Sequence, residues 1–166
     1  MDLKKQIKKQ LKSLMDYIWY HFNKVKYKNS EKVFLIGRNK TGTTSMKLLM
    51  KSLGYQVGNQ RIAERLQKSF IKENYKPLFR YIKSAEFFQD YPFSYPPTYK
   101  ILHEKYPNAK FILTVRNSSK EWFDSLRRFH NNKFKFSNNI EWRDIMNVSY
   151  RSKGWMYKNW HYLGWT

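Results

Sequence analysis

Between Gly37 and Ser45 the chain reads Gly-Arg-Asn-Lys-Thr-Gly-Thr-Thr-Ser. Two cations, Arg38 and Lys40, stand there among glycines and hydroxyls, and that is chemistry for holding an anion. Hydroxyl and backbone N–H groups donate to phosphate oxygens, Gly42 lets the backbone come close, and Lys40 adds a mobile charge. Two more residues could work with this segment. Arg116 follows the apolar run Lys110–Val115, and a guanidinium offers paired donors to a phosphate. Asp90 precedes Tyr91 and Pro92. Its carboxylate could accept a proton as a general base, in cationic surroundings that keep it ionised, or it could pair with Lys40 or cap the next turn. Glu86 and His130 are the alternative proton acceptors. The histidines at 21, 103, 130 and 161 show no metal-ligand spacing, so no metal is expected. The absence of cysteine excludes thiolate catalysis, disulfides and Cys-ligated zinc.

These residues need elements to position them. Residues 32–37 form a short apolar run ending in glycine, as a buried parallel strand does. A helix should follow the loop, with Met46, Leu49, Met50 and Leu53 on one face and Gly54 as its stop. A helix is expected over 60–73 and a second strand over 85–88. Pro96 and Pro97 open a helix with Tyr99, Leu102 and Tyr106 on one face. Residues 110–115 are the clearest strand. Ser118 and Glu121 make a capping-box pattern for a helix burying Trp122, Leu126 and Phe129. From about Asn138 the chain is Trp-rich, with helix expected near Trp142, Ile145 and Met146. Strands alternating with helices imply a parallel sheet covered by helices, and ligands of such sheets bind beyond the carboxyl ends of the strands. The segments 37–45, 88–92 and 116–125 all fall at such ends.

The loop differs from the Walker A pattern, G-x-x-x-x-G-K-[ST]. Gly37 and Gly42 match its glycines, but Thr43 stands where its lysine belongs, which argues against an ATPase or nucleotide kinase. The arrangement resembles instead the 5′-phosphosulfate loop of sulfotransferases that use 3′-phosphoadenosine 5′-phosphosulfate (PAPS). The resemblance implies that Lys40 contacts the bridging region of the donor. Thr41, Gly42, Thr43, Thr44 and Ser45, with Arg38 in the same loop, would hold its 5′-phosphate. Residues 106–117 resemble the family's second signature, which implies 3′-phosphate binding by Arg116 and Ser125. Ser118 and Ser119 stand where that signature usually has a proline. Asp90-Tyr91-Pro92 matches an Asp-x-Pro stretch of one subgroup. The implied fold is a P-loop NTPase-like three-layer α/β sandwich, shortened at its C-terminus. The implied activity is sulfuryl transfer to a hydroxyl or amine of a sugar, lipid or small alcohol, with Lys40 and Asp90 catalytic.

Charge and length frame this reading. The chain has 166 residues, 33 Lys and Arg against 12 Asp and Glu, and a formal charge of +21. Such a field attracts polyanions without choosing among them. A basic nucleic-acid-binding module is the competing class, supported by aromatics interleaved from Tyr150 to Trp165 but by no recognisable nucleic-acid-binding signature. Residues 1–29 read as a separate basic amphipathic helix ahead of an α/β domain over 30–166. Leu3, Ile7, Leu11, Leu14, Ile18, Phe22 and Val25 recur at steps of three and four, with Lys4, Lys5, Lys8, Lys9 and Lys12 around them. Residues 1–28 should dock either on the domain or on an anionic membrane. With no secretory signal pattern, the expectation is a cytoplasmic or membrane-peripheral protein.

Overall fold

The three apolar runs become three parallel strands in the order β2-β1-β3, where β1 is Val33–Leu35, β2 is Phe87–Phe88 and β3 is Lys110–Ile112. Val33 pairs with Phe87 and Lys110, and Leu35 with Ile112. The strands are shorter than the apolar runs because the chain leaves the ladder early to build loops. The computed structural model describes residues 3–136 and 141–162; Asn138 and the end of the aromatic tail, Trp165 included, lie outside the described residues.

Both faces of the sheet are covered, as continuous apolar strands require. On one face Phe34 stacks on Phe88 and Phe93, with ring centroids 5.7 and 5.6 Å apart. Leu78, Ile82 and Leu102 complete that core. Val33, Leu35 and Phe87 point the other way, against Met50 and Val57. The helices around the sheet are α2 (Thr43–Ser52), α3 (Gln60–Arg65), α4 (Gln67–Ile71), α5 (Lys76–Ile82), α6 (Pro96–Lys105), α7 (Ser119–Phe134), α8 (Trp142–Asn147) and α9 (Trp155–Tyr162).

Several expectations are refined. The helix foreseen over 60–73 breaks at Leu66 into α3 and α4, and α5, opened by Pro77, was not foreseen. Gly54 does end α2: its N–H reaches Lys51 O and that of Tyr55 reaches Met50 O, closing the helix in a Schellman motif. Of the face foreseen for α2 only Met50 is buried, while Leu49 and Leu53 are exposed. On α7 the buried residues are Leu126 and His130, whereas Phe129 is exposed.

The N-terminal helix α1 (Leu3–Tyr27) meets the body with the face opposite its apolar stripe. Its only acid, Asp16, is 1 % exposed. The carboxylate accepts from Arg61 at 2.6 Å, Arg65 at 2.9 Å and Asn59 at 2.7 Å. Burial pulls this carboxyl upward, but the bonds from Arg61 and Asn59 and the charges of both arginines outweigh it and hold it below its ordinary value. Just beyond the helix, the buried Lys32 ammonium donates to Tyr27 O, Ser30 Oγ and Ala85 O, tying the helix end to the sheet. Burial brings its pKa down to about 8. Asp16→Ala removes the α1 clasp while both half-exposed arginines regain water, so it should cost about 2 kcal/mol in chemical denaturation. Hydrogen exchange should then show protection lost first over Trp19–Tyr27; unchanged protection there would mean that other contacts hold α1.

Candidate functional site

The loop between β1 and α2 is shaped by contacts on both sides. Gly37 lies against the backbone continuing β3: a Cβ there would meet Thr114 O at 2.6 Å, so no side chain fits. Gly42 caps α2 at φ 97°, a left-handed conformation that favours glycine. Lys40 is also left-handed, at φ 67°, which costs a lysine roughly 1 kcal/mol. What holds it there is specific. Arg116 Nε donates to Lys40 O at 2.8 Å, and Trp122 Nε1 donates to Asn39 O at 2.9 Å. Thr41 donates its hydroxyl proton to Arg38 O, so in the 2.8 Å contact between the Thr41 and Thr114 hydroxyls Thr114 is the donor. Three successive loop carbonyls are thus taken up by the protein itself.

Beyond the loop, α2 begins with no side-chain cap, and its first bond is Met46 N–H to Gly42 O. The amides of the first turn and the positive end of the helix are therefore available to an anion. They open on a cavity of about 360 Å³. Arg38, Lys40, Gly42, Thr43, Thr44, Asp90 and Arg116 all line it, so the strand ends converge as the topology implied. The Lys40 ammonium rests over the Phe129 ring, 4.6 Å from its centroid. Thr41 instead lines a second cavity, also about 360 Å³, together with Thr114, Ser118, Ser119, Tyr99 and Trp122. Arg116 lines both cavities and pairs with Glu121 at 3.0 Å. Ser118 caps α7 by accepting from Glu121 N–H, so half of the capping-box pattern forms while the Glu121 side chain turns to Arg116. Ser45, exposed, and Ser125, half-buried one turn beyond Trp122, line neither cavity; Ser118 and Ser119 line the second cavity with Arg116, and Ser94 lines both.

Asp90 sits at φ 53° before a cis Tyr91-Pro92 bond, and its Oδ1 is buried with no hydrogen-bond partner among the described residues. Burial raises its pKa, against the opposing hydrogen bond from Thr43 and the charges of Lys47 and Lys40. The cations oppose this rise without cancelling it, because loss of water is the larger effect. Of the alternative proton acceptors, His130 lines the cavity, whereas Glu86 does not and accepts from Gln56 N–H instead.

Sequence reasoning missed the opposite wall. Gln60 and Glu64 of α3 line the first cavity, as do Tyr150 and Trp155. Glu64, 5 % exposed, accepts from Tyr150 at 3.2 Å and pairs with Arg151. Gln67 donates to Trp155 O at 2.9 Å. A single acid between the arginines of α3 was the one available signal. Among the described residues no group of His, Asp and Glu could hold a metal.

His130 is 3 % exposed, and burial, then the charges of Lys133 and Lys40, bring its pKa down to about 4 from 6.5. The unfolded chain therefore binds the proton first as pH falls. The stability contributed by neutral His130 is complete above pH 6.5 and is lost toward pH 4. Thermal melts across that window should show wild type losing about 2 to 3 kcal/mol more than His130→Gln. Parallel pH profiles would show that His130 is not held neutral.

A family model for the sulfotransferase domain matches residues 32–165. The match starts just past α1 and takes in both cavities. No curated protein matches the chain.

Proposed function

The chain belongs to the sulfotransferase family, and from that premise we propose that it moves a sulfuryl group from PAPS to a hydroxyl of its acceptor. The observation that carries the reading is the bond from Arg116 to the Lys40 carbonyl, which joins two cations of separate elements on one cavity at the start of α2. A donor with two phosphate-bearing ends needs cations held at a set separation. In this reading the 5′-phosphosulfate lies along Thr43, Thr44 and the α2 amides, and the 3′-phosphate lies by Arg116, with Ser118 and Ser119 nearer than Ser125.

The acceptor oxygen attacks sulfur, the bond from sulfur to the bridging phosphate oxygen breaks, and 3′-phosphoadenosine 5′-phosphate (PAP) leaves with the electron pair. Lys40 leaves the Phe129 ring, giving up about 1 kcal/mol of cation–π attraction, and meets the charge growing on the leaving phosphate. Asp90 takes the acceptor's proton. Its raised pKa makes it a better base than an ordinary aspartate, and its unpartnered Oδ1 has room for that proton. The aromatic wall of Tyr91, Tyr95, Tyr150 and Trp155 suits the apolar face of a sugar or similar alcohol. Asp90→Asn should leave donor affinity nearly intact and cut the rate sharply.

The direct test is ligand-induced stabilisation. PAP should raise the melting temperature without magnesium, and more than adenosine 5′-phosphate does. Stabilisation by ATP with magnesium alone would favour a kinase and sink this reading. Arg116→Ala should abolish the preference for PAP over adenosine 5′-phosphate; equal losses for both nucleotides would show that Arg116 only braces the loop. Lys40→Ala keeps the same backbone demand and should fold normally, yet lose about a hundredfold or more in sulfuryl transfer. Near-normal turnover would overturn its role.

A further inference from the structure

We propose that α1 seats the protein on an anionic membrane surface, with its apolar stripe in the acyl boundary and its lysines on lipid phosphates. The stripe from Leu3 to Val25 is left uncovered: Leu11 is 54 % exposed, Ile18 58 %, Phe22 69 % and Val25 75 %. The first turns of α1 are exposed, and further along the helix is fastened to the body by Asp16, by Trp19 and Tyr20 against the core, and by Lys32 on Tyr27 O. Asp16 is the only acid of α1, and its carboxylate is turned away from the stripe into Arg61 and Arg65. What α1 shows to its surroundings is therefore apolar along the middle, with lysines and neutral polar residues but no acid at the sides: Lys8 and Lys26 stand on one flank and Lys24 on the other.

That combination selects the occupant. A second copy of α1 would set lysine against lysine. A nucleic acid would engage the lysines but leave the apolar stripe in water. A lipid surface rich in phosphate satisfies both, and a 25-residue helix lies about 37 Å along it. No helix of the described residues is long and apolar enough to cross a membrane, so this is contact along the surface. The proposal holds whatever reaction the cavity carries out.

The test uses the full chain in co-sedimentation with phosphatidylcholine vesicles and with vesicles containing about a quarter phosphatidylserine. Wild type should sediment with the anionic vesicles and not with the neutral ones. The triple change Ile7→Ser, Leu11→Ser, Ile18→Ser should weaken that binding about tenfold or more while leaving the melting temperature unchanged, because all three side chains are exposed. Lys8→Gln with Lys12→Gln and Lys26→Gln should weaken it in a salt-dependent way. The proposal is overturned if the serine variant binds as tightly as wild type, since charge alone would then explain binding. It is overturned too if single-stranded RNA displaces the vesicles at equal phosphate, or if wild type fails to bind vesicles and is a dimer that the serine variant splits.

Discussion

Glu64 and Asp16 are buried carboxylates in a chain with 33 cationic side chains and 12 acidic ones, and both are engaged at α3. Asp16 reaches α3 from α1 through Arg61 and Arg65; Glu64 reaches from α3 to Tyr150 and Arg151. A carboxylate leaves water at a cost of several kcal/mol unless its lone pairs are met by good donors, and here each meets arginine. Two segments far apart in the chain, α1 and the stretch around Tyr150 and Arg151, are thereby fastened to one six-residue helix. A further polar bond, from Gln60 to Tyr91 O at 3.1 Å, ties the same helix to the turn that bears Asp90. Apolar packing makes the sheet, but these few polar bonds decide where the segments around the cavity stop.

The loop at the other wall obeys the same economy of groups. Lys40 is held in a left-handed conformation because Arg116 and Trp122, from the end of β3 and from α7, bind the carbonyls at and before it. Glu121 braces Arg116 in turn. A variant at any of these three residues therefore acts on the loop as well as on a bound ligand, and a comparison of nucleotides is needed to separate the effects.

What was legible in the sequence was local. Gly37 through Ser45 announced a strand-to-helix anion loop, and the apolar runs announced a parallel sheet whose ends would converge. Proline and glycine marked the start of α6 and the end of α2 because both act through their own backbone. The face α1 would present was hidden, since periodicity reveals a stripe and not its destination; the decision came from Asp16 meeting arginines 45 and 49 positions away. Glu64 was hidden for the same reason, with partners 86 and 87 positions on. Ser125 was offered by the family resemblance; it lines neither cavity, whereas the turn into α7 brings Ser118 and Ser119 to the wall of the second one. Phe129 looked like core by its place in the helical pattern, and it is instead the resting place of Lys40.

The three loop carbonyls already taken up by the protein have a kinetic consequence. A loop that must fold around its ligand waits for the right fluctuation, and association slows accordingly. This loop has its shape before any ligand arrives, so the entropy of ordering it is lost during folding and not at each encounter. With a formal charge of +21 drawing anions inward, capture should be limited by diffusion through the surrounding salt. In the proposed reaction, turnover would then be governed by how quickly a doubly phosphorylated, highly charged product escapes from the same field that brought its precursor in.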